Sequence, residues 1–360
     1  MKRKIPFFLL GIACAGLVVF ALASSGGSSD PLISLSYLKG DYSARINAAA
    51  DSRLDVSDKT ISTDVAGTKS NADWTDIRLK QADTLSGSTG LNIMLLAGSA
   101  KLNITSGAIV DVTVGKPVTS GTMLASCHRY LAAENASIKI SVTSKTAVFH
   151  YQGTAKFTKS AEPDYNAMAD ALKSMHLFQG TYTGYGSGYD LEVAPTRLQA
   201  LIMFIRVLGE EKDALAYRGK TPFTDIAANS NSEKYVGYAY SHGYTSGTSK
   251  TLFSPNRTVN AMQYTEFMLR ALGYSSASNT NLSGTLDKAV VCGVLTPGEI
   301  SMLKSSTFLR AQLVYVSYYA LGASYSDRSD TLQSRLIKYG IFTAAESSAA
   351  SGLVKTARLS

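Results

Sequence analysis

Thr196-Arg197-Leu198-Gln199 opens a run that continues through Leu201, Ile202 and Ile205 and closes on Val207-Leu208-Gly209. A threonine at a helix start can accept a bond from the backbone amide three residues on, and a glutamine there returns it, so the quartet reads as a capping box. Apolar residues at three- and four-residue steps bury one face of the helix, and a glycine after the last of them marks its end. The pattern recurs twice. Asn260-Ala261-Met262-Gln263 leads to Leu269-Arg270-Ala271-Leu272-Gly273, and Leu309-Arg310-Ala311-Gln312 leads to Tyr318-Tyr319-Ala320-Leu321-Gly322. The second copy caps with Asn260. The third has Leu309 at that place and keeps only the glutamine. Unequal spacing of the glycines means that the helices recur while the loops between them vary in length.

Upstream, the period changes. Lys101-Leu102-Asn103-Ile104-Thr105, Val110-Asp111-Val112-Thr113-Val114 and Ser137-Ile138-Lys139-Ile140-Ser141-Val142-Thr143 alternate strictly, with Gly, Ser and Asn clusters between them. That is the pattern of a compact antiparallel β module, expected over 79–158. It is a spacer or a binding face. Residues 24–78 read as a Gly/Ser linker followed by a weakly helical segment, with the polar stretch Asp55 to Asp73 loop-like. The fold class expected is therefore α+β and multidomain, a small antiparallel β module followed by an all-α repeat region over 159–345, with 346–360 as a tail.

The chain opens with Lys2, Arg3 and Lys4, an apolar stretch from Ile5 to Ala23, and Ala21-Leu22-Ala23 as a small-x-small site. Residues 1–23 thus read as a secretory signal peptide, the alternative being an uncleaved membrane anchor. Of the three cysteines, only Cys127 and Cys292 follow that segment. They are too few for a disulfide scaffold and read as two buried small apolar residues.

The 360 residues carry a formal charge of +8, from 35 Lys+Arg against 27 Asp+Glu. Three of those charges sit in the signal segment, and no basic block follows, so nucleic acid is not an expected partner. The four histidines, His128, His150, His176 and His242, form no close metal pair. Neither a Gly-x-Ser-x-Gly elbow nor a Walker loop is present. Gly180-Thr181-Tyr182-Thr183-Gly184-Tyr185-Gly186 follows a helical pattern and reads as a loop, while His128-Arg129 is either a site or an ordinary surface pair. No cofactor or metal is expected. The chemistry concentrates at the helix starts, where Arg197 and Arg310 directly follow the cap. Unpaired amides there favour an anion, and a guanidinium can grip a carboxylate through paired bonds. Each arginine can equally be solvent-exposed or held in a local salt bridge.

Pro222-Phe223-Thr224-Asp225-Ile226, Lys234-Tyr235-Val236-Gly237-Tyr238-Ala239-Tyr240, Gly243-Tyr244-Thr245-Ser246-Gly247 and Leu252-Phe253-Ser254-Pro255 lead into the second helix. Together they closely resemble an S-layer homology (SLH) repeat, with F-x-D, an aromatic helix, a G-x-x-x-G turn, F-x-P and a helix ending in L-G. Flanking segments, from Met168 and from Leu286, resemble further copies, giving repeats at about 159–212, 220–276 and 284–345. Asp30-Pro31-Leu32-Ile33-Ser34-Leu35-Ser36-Tyr37-Leu38 resembles the lead segment of clostridial surface proteins that carry such repeats.

The resemblance implies a pseudo-threefold helical module whose grooves bind secondary cell-wall polymer or another peptidoglycan-linked anionic glycan, often through a pyruvate ketal. Carried over position by position, the gripping arginines are Arg197 and Arg310, with Thr196, Gln199, Gln312 and Gly247 beside them. The middle copy has Ala261, with Arg257 nearby. Tyr235, Tyr238, Tyr240, Tyr244 and Tyr264 either stack on sugars or pack the helices. The expectation is a non-enzymatic, exported cell-surface protein in contact with a membrane only through an uncleaved signal segment. The alternative is an SLH-anchored wall or polysaccharide hydrolase with its site in the β region.

Overall fold

The structure, a computed structural model, describes residues 43–66, 73–180, 187–305 and 307–360. The expected signal peptide, the Gly/Ser linker, the segment Asp30 to Leu38 and most of the glycine-rich loop after Gly180 lie outside the described residues. The chain divides into two compact units, 1–68 and 69–360. In the first, helix α1 spans Ser43–Ala66. The loop expected from Asp55 is therefore helical as far as Ala66. Polarity reports exposure rather than conformation, and no glycine or proline interrupts these 24 residues.

The second unit begins with an antiparallel β-sandwich. Its strands are β1 (Thr75–Lys80), β2 (Thr84–Ser88), β3 (Asn92–Ala97), β4 (Ala100–Ser106), β5 (Ile109–Asp111), β6 (Lys116–Val118), β7 (Arg129–Ala132), β8 (Ser137–Val142), β9 (Thr146–Gln152) and β10 (Ala155–Thr158). They form a six-stranded sheet in the order β1-β9-β3-β7-β5-β6 and a four-stranded sheet in the order β10-β2-β8-β4. One core lies between them. Ile93, Leu95 and Phe149 from one sheet meet Leu85, Leu102, Ile138 and Ile140 from the other. Alternation works as expected in β8, where Ile138, Ile140 and Val142 are buried and Ser137 and Lys139 are exposed. It fails after Asp111. The Asp111 carboxylate accepts from Thr113 N at 3.0 Å and Gly115 adopts φ +65°, which turns the chain and leaves Val112 and Val114 exposed.

The helical region holds α2 (Tyr165–Ser174), α3 (Arg197–Val207), α4 (Glu211–Ala216), α5 (Asn231–Ser241), α6 (Ala261–Ala271), α7 (Thr285–Val291), α8 (Pro297–Lys304), α9 (Arg310–Ala320), α10 (Leu332–Lys338) and α11 (Ala344–Leu353). The three repeated helices α3, α6 and α9 are each 11 residues long and touch one another around a shared core containing Phe204, Tyr264, Phe267 and Tyr315. Gly209 and Gly273 end α3 and α6 at φ +71° and +81°. Behind them, Glu210 N donates to Ile205 O and Tyr274 N to Leu269 O, the six-to-one bond of a Schellman stop. Gly322 departs from the expected form, since α9 ends without a left-handed glycine.

Sandwich and helices join through side chains. Arg78 on β1 pairs bidentately with Asp170 on α2 at 3.0 and 2.7 Å, and Lys80 Nζ reaches both Asp83 and Ser160. The stretch read as a tail is instead packed. α11 lies against α2, and Arg358 pairs with the buried Glu299 at 2.6 Å while Leu359 N donates to Tyr315 Oη. Cys127 and Cys292 are free thiols, and neither is buried as expected: Cys127 is exposed and Cys292 half-buried. No helix among the described residues is long and apolar enough to cross a membrane.

Candidate anion-binding grooves

The helix starts form as the sequence predicts, with one consequence that matters for binding. Thr196 Oγ1 accepts from Gln199 N at 3.3 Å, and Thr196 N donates to Gln199 Oε1 at 3.0 Å. Asn260 and Gln263 close the second box at 2.9 and 3.2 Å. At the third start, Leu309 N donates to Gln312 Oε1 at 2.7 Å, and Gln312 Nε2 donates to Thr307 O at 3.1 Å. Gln312 is fully buried and does not face a ligand, contrary to the expectation. The first amides of α3 and α9 are also taken. Arg197 N and Leu198 N donate to Arg257 O and Pro255 O, while Arg310 N and Ala311 N donate to Val193 O and Leu191 O. Helix-start amides are thus unavailable to an anion here, and the side chains must do the gripping.

Arg197 lines a cleft of about 520 Å³ between the start of α3 and the loop after α5. Asp225 shapes that loop by accepting from Phe253 N at 2.9 Å and Ser254 N at 2.7 Å. Gly247 sits at φ +78°, where a Cβ would lie 2.4 Å from Phe223 and 2.6 Å from Leu252 O, so only glycine lets the loop close. The Arg197 side chain is buried at 6% exposure, with its guanidinium over the rings of Phe253 and Phe267 at 5.0 and 5.3 Å. Nη2 donates to Thr245 Oγ1 at 3.2 Å and reaches Gly247 O at 3.5 Å, whereas Nε has no hydrogen-bond partner. No carboxylate pairs with it among the described residues. Burial, then the like charges of Arg270 and Arg257, push its pKa down to about 10. Arg270 is spent: Nε pairs with Glu266 at 3.1 Å, and its terminal nitrogens donate to Tyr244 O and Asn279 O.

The other two starts open on different surroundings. Ala261 lines a cleft of about 640 Å³ with an apolar floor of Met262, Leu286, Leu303 and Phe308, and with Arg257 and Lys304 among its lining. Arg310 lines a smaller cleft of about 250 Å³ together with Gln199, Tyr189, Ile202 and Leu313. There Arg310 Nη1 already pairs with Asp190 at 3.4 Å, and Asp190 is held at φ +53°. The two predicted arginines therefore sit in separate clefts, and only Arg197 lacks a counter-ion.

Residues 222–264 match the family model of the S-layer homology domain. The chain carries an SLH domain there. None of the curated proteins compared matches the chain. Among solved structures, it is similar to dTDP-6-deoxy-D-glucose-3,5-epimerase RmlC from Legionella pneumophila at 15% identity and TM-score 0.16, covering 26% of this chain and 54% of that one. It is also similar to procruciferin, an 11S globulin from Brassica napus, at 12% identity and TM-score 0.17, covering 28% of each. The chain thus spans about half the length of the first and under a third of the second, and likenesses this slight carry no argument.

The SLH match includes Phe223, Asp225, Gly247 and Phe253, all of which build the frame of the Arg197 cleft, while Arg197 itself precedes it. Its tyrosines pack. Tyr235 donates to Glu211 at 2.5 Å, Tyr238 and Tyr244 donate to Glu210, and Tyr264 bonds Ser317 inside the core. Burial between these rings raises the Glu210 pKa. In the β region, His128 pairs with Asp111 at 2.7 Å and His150 with Asp76 at 2.6 Å beneath the stacked Trp74 ring. No metal-binding cluster occurs among the described residues. Sequence reasoning missed the roles of Lys250, Arg270 and Asp190. Asp190 and Arg310 lie 120 residues apart, and no local pattern could have joined them.

Proposed function

We propose that this is a non-enzymatic, exported cell-surface protein, anchored non-covalently to an acidic secondary cell-wall polymer. The SLH domain supports a cell-surface location and attachment to wall glycan. In this reading three SLH copies stand about a pseudo-threefold axis, and α3, α6 and α9 are their equivalent helices. The single observation that carries the binding mode is Arg197, a buried cation with no carboxylate partner and one unused donor, lining an open cleft. Leaving such a charge unpaired is costly, and the cost is offset when a ligand carboxylate enters. A pyruvate ketal on a terminal sugar has the right charge and two oxygens for a guanidinium fork. Arg310, spent on Asp190, and Ala261 make the other two clefts weaker sites.

The test is retention on purified Gram-positive wall sacculi that still carry their polymer. The full chain is expected to bind, and Arg197→Gln to release it, with Arg310→Gln having the smaller effect. Retention of Arg197→Gln equal to that of the unaltered protein would overturn the reading.

A further inference from the structure

The Arg197 cleft holds more positive charge than one carboxylate can answer. Five charged side chains line it: Arg197, Lys250, Arg257, Arg270 and Glu266. Arg270 and Glu266 cancel as a buried pair, and Glu266 is further saturated by Ser275 at 2.6 Å and by Asn279 and Thr285 at 3.2 Å. Glu266 therefore has no capacity left for the other cations. Arg197 is the deep cation. Lys250 and Arg257 stand exposed at the mouth, and neither makes an ion pair or side-chain hydrogen bond among the described residues. Arg257 also helps push down the Arg197 pKa, so the cations repel one another across the cleft.

We propose that the first cleft takes a glycan with two anionic groups, one seated on Arg197 and a second, on the adjoining sugar, held by Arg257 and Lys250. This rests on the reading of Arg197 as the carboxylate grip and adds a second subsite to it. The geometry gives the order. The deep position is buried, flanked by the Phe253 and Phe267 rings, and suits a compact carboxylate. The mouth is exposed and carries two long side chains without a partner among the described residues, which suits a bulkier anion such as a phosphate ester or a uronate. The cleft volume of about 520 Å³ lies in the range of sites that enclose a small ligand, with room for more than one sugar ring.

Titration calorimetry on the full chain separates the possibilities with three disaccharides. All carry one pyruvate ketal on the terminal sugar, and the second sugar is neutral, phosphorylated or a uronate. A second charge-assisted contact at the mouth is expected to make at least one charged disaccharide bind about tenfold tighter than the neutral one at low salt. The arm that gains more identifies the second group. In Lys250→Gln/Arg257→Gln that gain is expected to vanish, while affinity for the neutral disaccharide falls by about threefold at most. Equal affinity for all three disaccharides, or an equal loss for all three in the double variant, overturns the second subsite while leaving the carboxylate grip standing. Binding of all three unaffected by Arg197→Gln overturns both.

Discussion

Replacing Arg197 by methionine is expected to make the ligand-free protein more stable and unable to hold acidic glycan. Burial and two neighbouring arginines lower the guanidinium pKa from its ordinary value to about 10. At neutral pH the cation therefore carries a penalty of roughly 3 kcal/mol relative to water. Against it stand contacts to Phe253 and Phe267, each worth about 0.5–2 kcal/mol, and one long bond to Thr245 at 3.2 Å. Methionine keeps much of the ring contact through its sulfur and leaves Thr245 Oγ1 bonded to Gly247 N. The net gain is about 1–2 kcal/mol, within the range seen when buried charges give way to apolar side chains. For a unit of this size that is a rise of about 2–3 °C in Tm. Because the folded pKa lies below the unfolded one, the penalty is fully present below about pH 10 and fades only as the pH climbs from there towards the ordinary guanidinium range. The gain should accordingly be constant from pH 6 to pH 9. Thermal unfolding by circular dichroism, without ligand, measures it. A fall of several degrees in Arg197→Met would show that the arginine is a structural tie and refute its role as a charge held ready for an anion.

Three further outcomes follow from the contacts. Asp190→Asn keeps a residue tolerant of φ +53° but removes the counter-ion of Arg310, so calorimetry with wall glycan should reveal a second, weaker site. Unchanged stoichiometry would mean that the small apolar cleft cannot admit a sugar. Arg358→Ala strips the buried Glu299 of its cation and should cost about 2–3 kcal/mol, less than a fully buried pair because Arg358 is a third exposed, read as a lower urea midpoint. Thr196→Ala opens the first capping box and should cost about 1 kcal/mol in the same assay.

The helices were legible because their signals are local. A cap, an apolar stripe and a terminal glycine lie within a dozen residues, and α3 and α6 begin and end where those signals fall. Polarity misled over Asp55 to Ala66, since a helix and a loop can share a polar composition. The strand expected at Val110–Val114 stopped at Asp111 because one side-chain bond to Thr113 N outweighed the alternation. At the site, the position after the cap was readable and its consequences were not. Whether Arg197 or Arg310 is free depends on what a distant loop sets opposite it, Thr245 and Gly247 in one case and Asp190 in the other. Gln312 looked like its two counterparts, yet loss of the polar cap at Leu309 and full burial leave it a purely internal role.

The three helix starts share a frame and differ in electrostatics, and this difference decides how the protein can hold a polymer. Attachment through three equal grooves would spread affinity over three weak contacts and gain from their linkage. One start has alanine and another has its arginine paired with Asp190, so on the proposed reading the Arg197 groove supplies most of the specificity. A lone groove must compensate by binding more of the ligand at one place. The surplus of Lys250 and Arg257 around Arg197 is what that requirement looks like in side chains. Because those two cations are exposed, attachment should weaken steeply with ionic strength, whereas the contact to Arg197, shielded by the rings of Phe253 and Phe267, should persist. A binding isotherm whose salt dependence is confined to Lys250 and Arg257, and is lost when both become glutamine, is the signature of that division of labour.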